Sequence, residues 1–402
     1  MAFLNFLHPA VLTMAMHING DRILQAFLEY PRYPGSAKDI LRASLDACWR
    51  GRYLSASPGK YRQFWTRDMG FAAPALVRLG DVQHARLVDT LDWAISIWRR
   101  RRSHVTTTIS PPFNWPVDLF DYGVDSLPLL LAALRSADAT DLVDDHRDWL
   151  AAEVEHYCSM VVDPATGLVR TDRTFSAHRD TFRNSSTAYG NTMVALLGRT
   201  VAETGWGPDL LSRHFGGDWG SILRERFWLR DRFRDRLGSD RTSGEANIWP
   251  FFAGVVNDPA MQAAALDTLR RSGYTAPYPL RFDVADRRER LVFIYRFLSP
   301  DYQTTTSWTS LGSIYLSLLG EGRSEQAAVE IGRMSRLIER DGTFWEVLDA
   351  RGRRWRSGNG LSTSDRAMLW CAILLETLEH PDGPPLRIGQ APASEEPAGK
   401  RA

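Results

Sequence analysis

Six times along the chain, at intervals of about sixty residues, a loop of aromatic and polar residues leads into a compact run of small and apolar residues. Each run is apolar around most of its circumference, which is typical of a helix buried on nearly every side. A more polar segment with helical periodicity precedes each run. The apolar runs begin near Asp68, Gly123, Ala188, Trp249, Thr309 and Asp365, and the polar segments cover residues 37–50, 82–101, 142–160, 210–224, 260–271 and 325–338.

A repeat of this length sets the whole fold, because each unit buries its apolar face only against its neighbours. Six pairs of a polar helix followed by an apolar helix predict an all-α (α/α)6 barrel, with six inner helices ringed by six outer ones. Short β-hairpins are predicted in the loops at the mouth of the barrel, notably around residues 344–355. The loops that enter the inner helices should converge on that mouth.

Length and local composition predict one domain. Residues 1–380 are assigned to a single barrel, since closed barrels routinely exceed the usual domain length. The first 20 residues lack a positively charged start, and His8, Pro9 and His17 interrupt their apolar run, so we expect a helix or arm packed on the barrel. No stretch reaches the ~18 uncharged apolar residues of a membrane span. Residues 381–402 are rich in Pro, Gly, Ala and charge, which predicts a disordered tail.

Charge and cysteine usage exclude several classes of partner. The formal net charge of +1 argues against a dedicated nucleic-acid or acidic-membrane partner. Cys48, Cys158 and Cys371 lie far apart, which suits a reducing cytoplasm better than a disulfide framework. No cysteine or histidine spacing indicates a metal site, and no glycine-rich phosphate loop is present, so neither a metal nor a cofactor is predicted. Whether the protein forms a homo-oligomer stays open.

Fourteen tryptophans are the strongest compositional signal. Several belong to helix faces and are core residues by their spacing. Indole rings beside Arg, Asp and Asn can stack on the C–H face of a sugar while the polar groups bind its hydroxyls. Packing at the bases of loops is the alternative for any single tryptophan. Five of them lie in polar loops before inner helices, which favours a carbohydrate site: Trp65, Trp115, Trp249, Trp308 and Trp345.

The sharpest motif is YRQFWTRD at residues 61–68, just before the first inner helix. Arg67 can bind neighbouring hydroxyls through two parallel donors, and Asp68 can accept from them. The alternative is that Asp68 only caps the helix that follows. Capping would explain Asp68 alone and would leave Phe64, Trp65 and Arg67 unexplained.

FWTRD followed by an apolar helix resembles the corresponding loop of glucoamylases, glycogen-debranching glucosidases and related (α/α)6-barrel glycoside hydrolases. FDYGVD at 120–125 resembles the glucoamylase segment before the second inner helix, and YQTTTSW at 302–308 resembles the tryptophan-bearing loop before the fifth. GTFWEVLD at 342–349 resembles the element that carries the catalytic base in trehalase-like and mannosylglycerate-hydrolase-like enzymes. These short motifs keep their order over roughly residues 60–380. The resemblance implies that the Arg67–Asp68 pair binds the sugar whose bond is cut.

Glycoside hydrolysis requires one carboxylic acid to protonate the leaving oxygen and one carboxylate to activate water or attack the sugar. The resemblance implies that Glu346 is the base, although it could instead be a surface residue of a hairpin turn. Related barrels carry the acid in the third loop, where Asp180 lies in HRDT and matches their GWDxS pattern only in part. Asp172 and Glu245 are the alternatives. The neighbouring Arg179 is in tension with this role, because a positive charge lowers a carboxyl pKa and a general acid needs it raised.

The predicted function is therefore an inverting, exo-acting glycoside hydrolase for a small α-linked glucoside or related glycoside, since the loops are short and no β-sandwich or starch-binding domain is attached. A sugar epimerase is one alternative, but it needs paired histidines, and only His178, with His104 second, falls in a mouth loop. A polysaccharide lyase using Tyr189, His178 and Arg179, or a non-catalytic carbohydrate-binding toroid, are the others. The predicted catalytic residues are Asp180 and Glu346, and the predicted substrate-binding residues are Trp65, Arg67, Asp68, Asp121, His178, Arg179, Glu245, Trp249, Trp308 and Trp345.

Overall fold

The computed structural model describes residues 30–182, 184–204, 209–285, 301–320, 325–360 and 362–390, and about half of the chain is helical. The predicted N-terminal arm and residues 391–402 of the predicted tail lie outside these ranges. The helices are α1 (Ala37–Ala47), α2 (Thr66–Arg78), α3 (Asp81–Arg101), α4 (Ser126–Ser136), α5 (Thr140–Asp145), α6 (Arg147–Val161), α7 (Ala188–Thr204), α8 (Asp209–Phe215), α9 (Ser221–Arg226), α10 (Trp249–Phe252), α11 (Pro259–Arg271), α12 (Thr309–Gly320), α13 (Glu325–Asp341) and α14 (Cys371–Glu379).

Six apolar helices form a circle of contacts, in which the last helix packs against the first. Helix α2 packs against α4, α4 against α7, α7 against α10, α10 against α12, α12 against α14, and α14 returns to α2. The more polar helices contact this series from outside: α3 lies on α2, α6 on α4, α8 and α9 on α7, α13 on α12, and α1 on α14. The apolar runs predicted from the sequence therefore become the helices of an inner circle.

Burial distinguishes the two sets of helices. In α2, the side chains of residues 66–76 are all buried, and in α12 those of residues 309–318 are. Small residues allow this crowding, since a Cβ on Gly70 would lie 2.6 Å from the Cβ of Leu129 in α4. In α13, by contrast, only Ala327, Met334, Leu337 and Ile338 are buried, so one narrow stripe faces inward.

Two of the predicted inner helices differ from expectation. Helix α10 has only four residues, because Gly254 adopts a left-handed conformation (φ +63°). The Pro250 carbonyl then accepts from the amides of Val255 and Val256, the two residues after Gly254, which ends the helix. The sixth inner helix begins at Cys371 rather than near Asp365. The amide of Asp365 donates to the Glu346 side chain, and Ala367 has a φ of 52°, so the chain cannot yet be helical there.

Short strands brace the loops at the N-terminal ends of the inner helices. β1 (Phe64–Trp65), β2 (Thr108–Ser110) and β3 (Trp115–Val117) form an antiparallel sheet in that order. β4 (Trp228–Leu229) pairs with β5 (Arg232–Phe233), and β6 (Ser307–Trp308) pairs with β7 (Val347–Leu348). A bridge from Leu348 to Arg354 closes a hairpin within the segment predicted to hold one.

Residues 381–390 belong to the predicted disordered tail, yet part of this segment packs on the helices. Leu386 and Ile388 are buried, and the amide of Ile388 donates to the carbonyl of Phe252. Arg199 donates to the carbonyl of Ile388 at 2.8 Å. Burial of the apolar side chains at these two positions, together with the two hydrogen bonds of Ile388, opposes the entropy of ordering the segment. Among the described helices, none is both long enough and apolar enough to cross a membrane.

Because Ile388 is fully buried, Ile388→Ala should lower the free energy of unfolding by roughly 2–5 kcal/mol. Val82 is 64% exposed, so Val82→Ala is the matched control and should stay within about 0.5 kcal/mol of the unmodified protein. Denaturant-induced unfolding followed by circular dichroism measures both. Equal stability of the two variants would show that the segment around residue 388 does not pack as described.

Candidate active site

Charged side chains from four of the loops before inner helices lie at one end of the helices, and hydrogen bonds join those from three of the loops. Arg67 and Asp68 lie in the first turn of α2, and Asp125 directly precedes α4. Asp180 lies in the loop before α7, and Glu346 lies in the loop before α14. The loops before inner helices therefore meet at one end of the helical circle, and there they bring together carboxyl groups that are far apart in the sequence.

Arg67 is the centre of the first half of this cluster, which also contains Asp125 and Asp180. Its Nε donates to Asp125 Oδ2 at 2.5 Å, and its Nη1 donates to Asp180 Oδ2 at 2.8 Å. Its Nη2 also reaches Ser176 Oγ at 3.3 Å. The two carboxylates hold the pKa of the buried guanidinium well above its usual range, although burial alone would lower it. Arg67 thus fixes two carboxyls in place, and the direct binding of a sugar by Arg67 stays a prediction.

Asp180, the predicted acid, is held on both oxygens. Oδ2 accepts from Arg67, and Oδ1 accepts from Ser176 Oγ at 2.8 Å. Burial raises the pKa of Asp180, and the charge of Asp125 raises it further, while Arg67 opposes both effects. The side chain keeps 18% of its surface exposed, so one edge of the carboxyl remains open to a substrate.

Arg179 does not produce the tension expected from the sequence. Its Nη2 donates to the carbonyl of Gln303 at 2.9 Å, and its guanidinium carbon lies 3.8 Å from the centre of the Phe182 ring. The Arg179 side chain is buried, and its contacts with Gln303 and Phe182 hold the loop in place. The cation that opposes protonation of Asp180 is therefore Arg67, and Arg179 has a structural role as a brace between loops.

Glu346, the predicted base, is buried in the second half of the cluster. Tyr302 donates its hydroxyl to Oε1, and the amide of Asp365 donates to Oε2 at 2.9 Å. Burial raises the pKa of Glu346, and the positive charge of Lys60 lowers it. The alternative interpretation of Glu346 as an exposed turn residue is wrong, because the turn of the hairpin falls at Asp349 and Gly352 instead.

Asp68 connects the two halves. It is 7% exposed and lies in the third position of α2, whose N-cap is Trp65, so it is not the cap of this helix. Burial raises the pKa of Asp68 to about 7, and the negative charges of Asp180 and Glu346 both add to this rise. The charges of Asp180 and Glu346 both act on the Asp68 carboxyl, so the three groups lie in one region of the site.

Aromatic rings surround His178 beside the carboxyls. The ring lies 5.1 Å from Phe71, 5.8 Å from Tyr189 and 5.8 Å from Trp249. Trp249 Nε1 donates to His178 Nδ1 at 3.3 Å, and Glu245 Oε2 lies 3.8 Å from the same nitrogen. Burial, with the charges of two arginines, holds the pKa of His178 well below its usual range, so the imidazole is neutral.

Trp65 and Trp308 also lie at this end of the helices. Trp65 packs edge-on against Tyr61, with 6.0 Å between ring centres, and its buried indole N–H has no hydrogen-bond partner among the described residues. Trp308 donates to the carbonyl of Tyr302 at 2.6 Å and packs against its ring. Trp308 therefore stands next to Tyr302, which contacts Glu346, and Trp65 stands next to Tyr61, whose hydroxyl meets that of Tyr302.

Several residues predicted for the site make their contacts with other residues than those of the carboxyl cluster. Asp172 is 63% exposed and pairs with Arg170, which lowers the pKa of Asp172. Asp121 accepts from the amide of Thr174 at 3.4 Å. Trp345 donates to Asp341 at the end of α13 and packs against Tyr30, so its ring points away from the Glu346 carboxylate that follows it. Trp115 packs on Phe113 in the small sheet.

Sequence reasoning missed Asp125, Ser176, Tyr302, Lys60 and Asp365 as members of the site. Two of these stand inside motifs that were already singled out, so a clue existed for them. Asp125 ends the FDYGVD segment in which Asp121 was chosen, and Tyr302 opens the YQTTTSW segment. Only the fold shows which residue of each segment turns toward the carboxyl cluster.

The sequence matches no protein-family model, and no curated protein matches it either. Solved structures do match. A glycosidase in complex with glucose aligns over 86% of this chain and 96% of its own, with 16% identity and a TM-score of 0.61. A rhamnosidase from Klebsiella oxytoca with rhamnose bound aligns over 88% of this chain and 66% of its own, with 16% identity and a TM-score of 0.62.

A GH63 mannosylglycerate hydrolase from Thermus thermophilus, in complex with Tris and D-glycerate, aligns over 85% of this chain and 100% of its own. Its identity is 14% and its TM-score is 0.54. The chain shares the fold of these proteins. This confirms the predicted resemblance to (α/α)6-barrel glycoside hydrolases at the level of structure. Identity this low establishes the fold alone, so the reaction has to be argued from the site.

The raised pKa of Asp68 predicts how stability depends on pH. A carboxyl with a folded-state pKa of about 7 contributes stability that is lost as the pH rises from about 4 to 7. Because Asp68→Asn cannot ionise, its stability relative to the unmodified protein should increase by up to about 4 kcal/mol between pH 4 and pH 8. Asp172→Asn should show a small change of opposite sign, since Arg170 lowers the pKa of that exposed carboxyl. Denaturant unfolding at several pH values measures both, and a pH-independent Asp68→Asn difference would contradict the assignment.

Proposed function

We propose that the protein is a glycoside hydrolase built on an (α/α)6 barrel, which cleaves a small α-linked glycoside from one end with inversion of the anomeric carbon. The closed series of contacts from α2 to α14 and back supports the barrel. The observation that carries the chemistry is that two carboxyls from separate loops, Asp180 and Glu346, are each held by hydrogen bonds in the region of the buried Asp68. Two carboxyls from different loops of one site are what glycosidic hydrolysis requires.

In this proposal Asp180 is the general acid. Its raised pKa favours a proton on the carboxyl, which it would deliver to the oxygen that leaves with the aglycone. The bonds from Arg67 and Ser176 fix the direction of the carboxyl group. Arg67 also lowers the energy of the carboxylate that remains after the proton is transferred, so it assists the step that it would otherwise disfavour.

Glu346 is proposed as the general base. Its two oxygens receive hydrogen bonds from Tyr302 and from the amide of Asp365, which hold the carboxylate in one orientation. An ionised carboxylate oriented in this way can accept a proton from a water molecule as that water attacks the anomeric carbon. Inversion follows when a water fits between the base and the sugar, because attack then comes from the face opposite the leaving group.

Sugar binding is proposed for Asp68 and for the aromatic rings next to the carboxyls. A group with a pKa of about 7 can be either donor or acceptor to a sugar hydroxyl near neutral pH. The unpartnered indole N–H of Trp65 can donate to another. The buried position of Asp68 and Glu346 supports a small substrate and attack at the terminal unit of the glycoside.

The rival functions receive less support from these contacts. For an epimerase, His178 is held neutral among aromatic rings, and among the described residues its ring neighbours include no second histidine. For a lyase, the Tyr189 ring lies beside His178, but its hydroxyl donates to Asp125. Arg179 donates to the carbonyl of Gln303, so neither polar group is directed toward a substrate at His178. A non-catalytic binding toroid would have no need of three buried carboxyls in one region.

Substitution of the two carboxyls tests the proposal. Glu346→Gln and Asp180→Asn should each lower kcat by roughly 100-fold or more on the substrate found by screening small α-glucosides and aryl α-glycosides, because each removes one proton-transfer group. Asp172→Asn, in the same loop as Asp180 but exposed, is the matched control and should retain activity. Near-native turnover by both buried variants would eliminate these assignments, and circular dichroism confirms that each variant is folded.

The stereochemical part has its own test. Proton NMR of the first-formed sugar from an α-glycoside should show the β-anomer before mutarotation sets in, because a base that activates water produces inversion. An initial α-anomer would instead indicate a covalent intermediate on Glu346. That outcome would contradict inversion while leaving glycoside hydrolysis in place.

A further inference from the structure

Lys60 is an unusual residue in this chain. Only three of its 49 basic residues are lysines, namely Lys38, Lys60 and Lys400. Lys38 is exposed on α1, whereas Lys60 is only 1% exposed. A buried ammonium is costly unless a negative charge faces it. A lysine at a buried position of an arginine-rich protein therefore requires a specific charge partner.

The loop that carries Lys60 wraps around a buried carboxylate next to the proposed base. The amide of Lys60 donates to Asp365 Oδ2 at 2.8 Å, and Ser57 Oγ donates to the same oxygen at 2.5 Å. Gly59 lies so close that a Cβ there would stand 2.3 Å from Asp365 Oδ1. The amide of Asp365 in turn donates to Glu346 Oε2 at 2.9 Å. Asp365 therefore connects the lysine loop to Glu346.

A second connection starts at the next residue of the same loop. The hydroxyl of Tyr61 lies 2.9 Å from the hydroxyl of Tyr302, and Tyr302 donates to Glu346 Oε1. Both oxygens of Glu346 are thus held by groups that the loop at residues 57–61 contacts. The loop supports the orientation of the Glu346 carboxylate through two separate chains of hydrogen bonds.

The charges around Glu346 are unbalanced without Lys60. Asp365 and Asp68 are both carboxyls and both interact unfavourably with an ionised Glu346, while Tyr302 stabilises it through a hydrogen bond. Lys60 is the positive charge that acts on Glu346 and opposes the effect of burial. Burial beside two other carboxyls would favour a proton on Glu346 if no cation faced it.

Building on the proposed function, we propose that Lys60 is a positioning residue that keeps Glu346 ionised and therefore able to accept a proton from water. The charge of Lys60 acts on the carboxylate, and the loop that carries Lys60 contacts the groups that hold both carboxylate oxygens.

The pH profile of kcat/KM tests this role. Its acidic limb reports the ionisation of the base in the free enzyme, and Lys60→Met should shift that limb upward by about one pH unit or more. Lys60→Arg retains the charge, so its limb should stay close to that of the unmodified enzyme even if crowding lowers kcat. Lys38→Met, which removes an exposed lysine, is the matched control and should change neither limb nor rate. An unshifted acidic limb in Lys60→Met would overturn the proposal.

A stability measurement separates this proposal from the glycosidase assignment, because it needs no substrate. At pH 8, Lys60→Met should shift the denaturant midpoint downward in the unmodified background and much less in the Glu346→Gln background, since a neutral amide no longer needs the cation. The loss should also be smaller at pH 5, where Glu346 can take up a proton.

Each outcome of this double-mutant cycle supports or refutes the coupling of Lys60 with Glu346. Equal losses in both backgrounds would mean that Lys60 has only a packing role, and the proposal would fail. If Lys60→Met does not fold, recovery of the folded state in Lys60→Met/Glu346→Gln supports the coupling, and no recovery refutes it. If no glycoside is ever hydrolysed while the two residues remain coupled, the glycosidase assignment fails and the pairing of Lys60 with Glu346 stands.

Discussion

The ion pairs of Arg67 with Asp125 and Asp180 are the interaction on which the rest of the site depends. One buried guanidinium connects the first turn of α2 with the residue before α4 and with the loop before α7. Buried carboxylates need such a partner, since removing it would leave two uncompensated charges. The same interaction therefore joins three segments of the fold and sets the direction of the proposed acid.

The opposite half of the site is organised around hydrogen bonds more than ion pairs. Glu346 is oriented by a tyrosine hydroxyl and a backbone amide, and Asp365 is surrounded by the loop that precedes β1. This difference in surroundings gives two carboxyls two environments, which is the usual basis for dividing acid and base roles. Asp68 lies between them and interacts with both charges.

Much of the architecture could be predicted from the sequence, because burial on all sides and burial on one stripe leave different patterns in the composition of a helix. The site was less accessible to prediction. Asp121 and Asp125 are four residues apart in one motif, and nothing in their spacing shows that Asp125 is the one that meets Arg67. Trp345 and Glu346 are adjacent, yet they face opposite sides of an extended segment. Lys60 has no pattern around it, since its partner is 286 residues away in the sequence.

The contact between α14 and α2 has a consequence for how the protein is made. The first and the last of the inner helices are neighbours in space but are separated by almost the whole of the described chain. During synthesis, one apolar side of α2 must therefore stay uncovered until residues 371–379 have left the ribosome. The circle of inner helices can therefore close only after α14 has been made, however early the other helices fold.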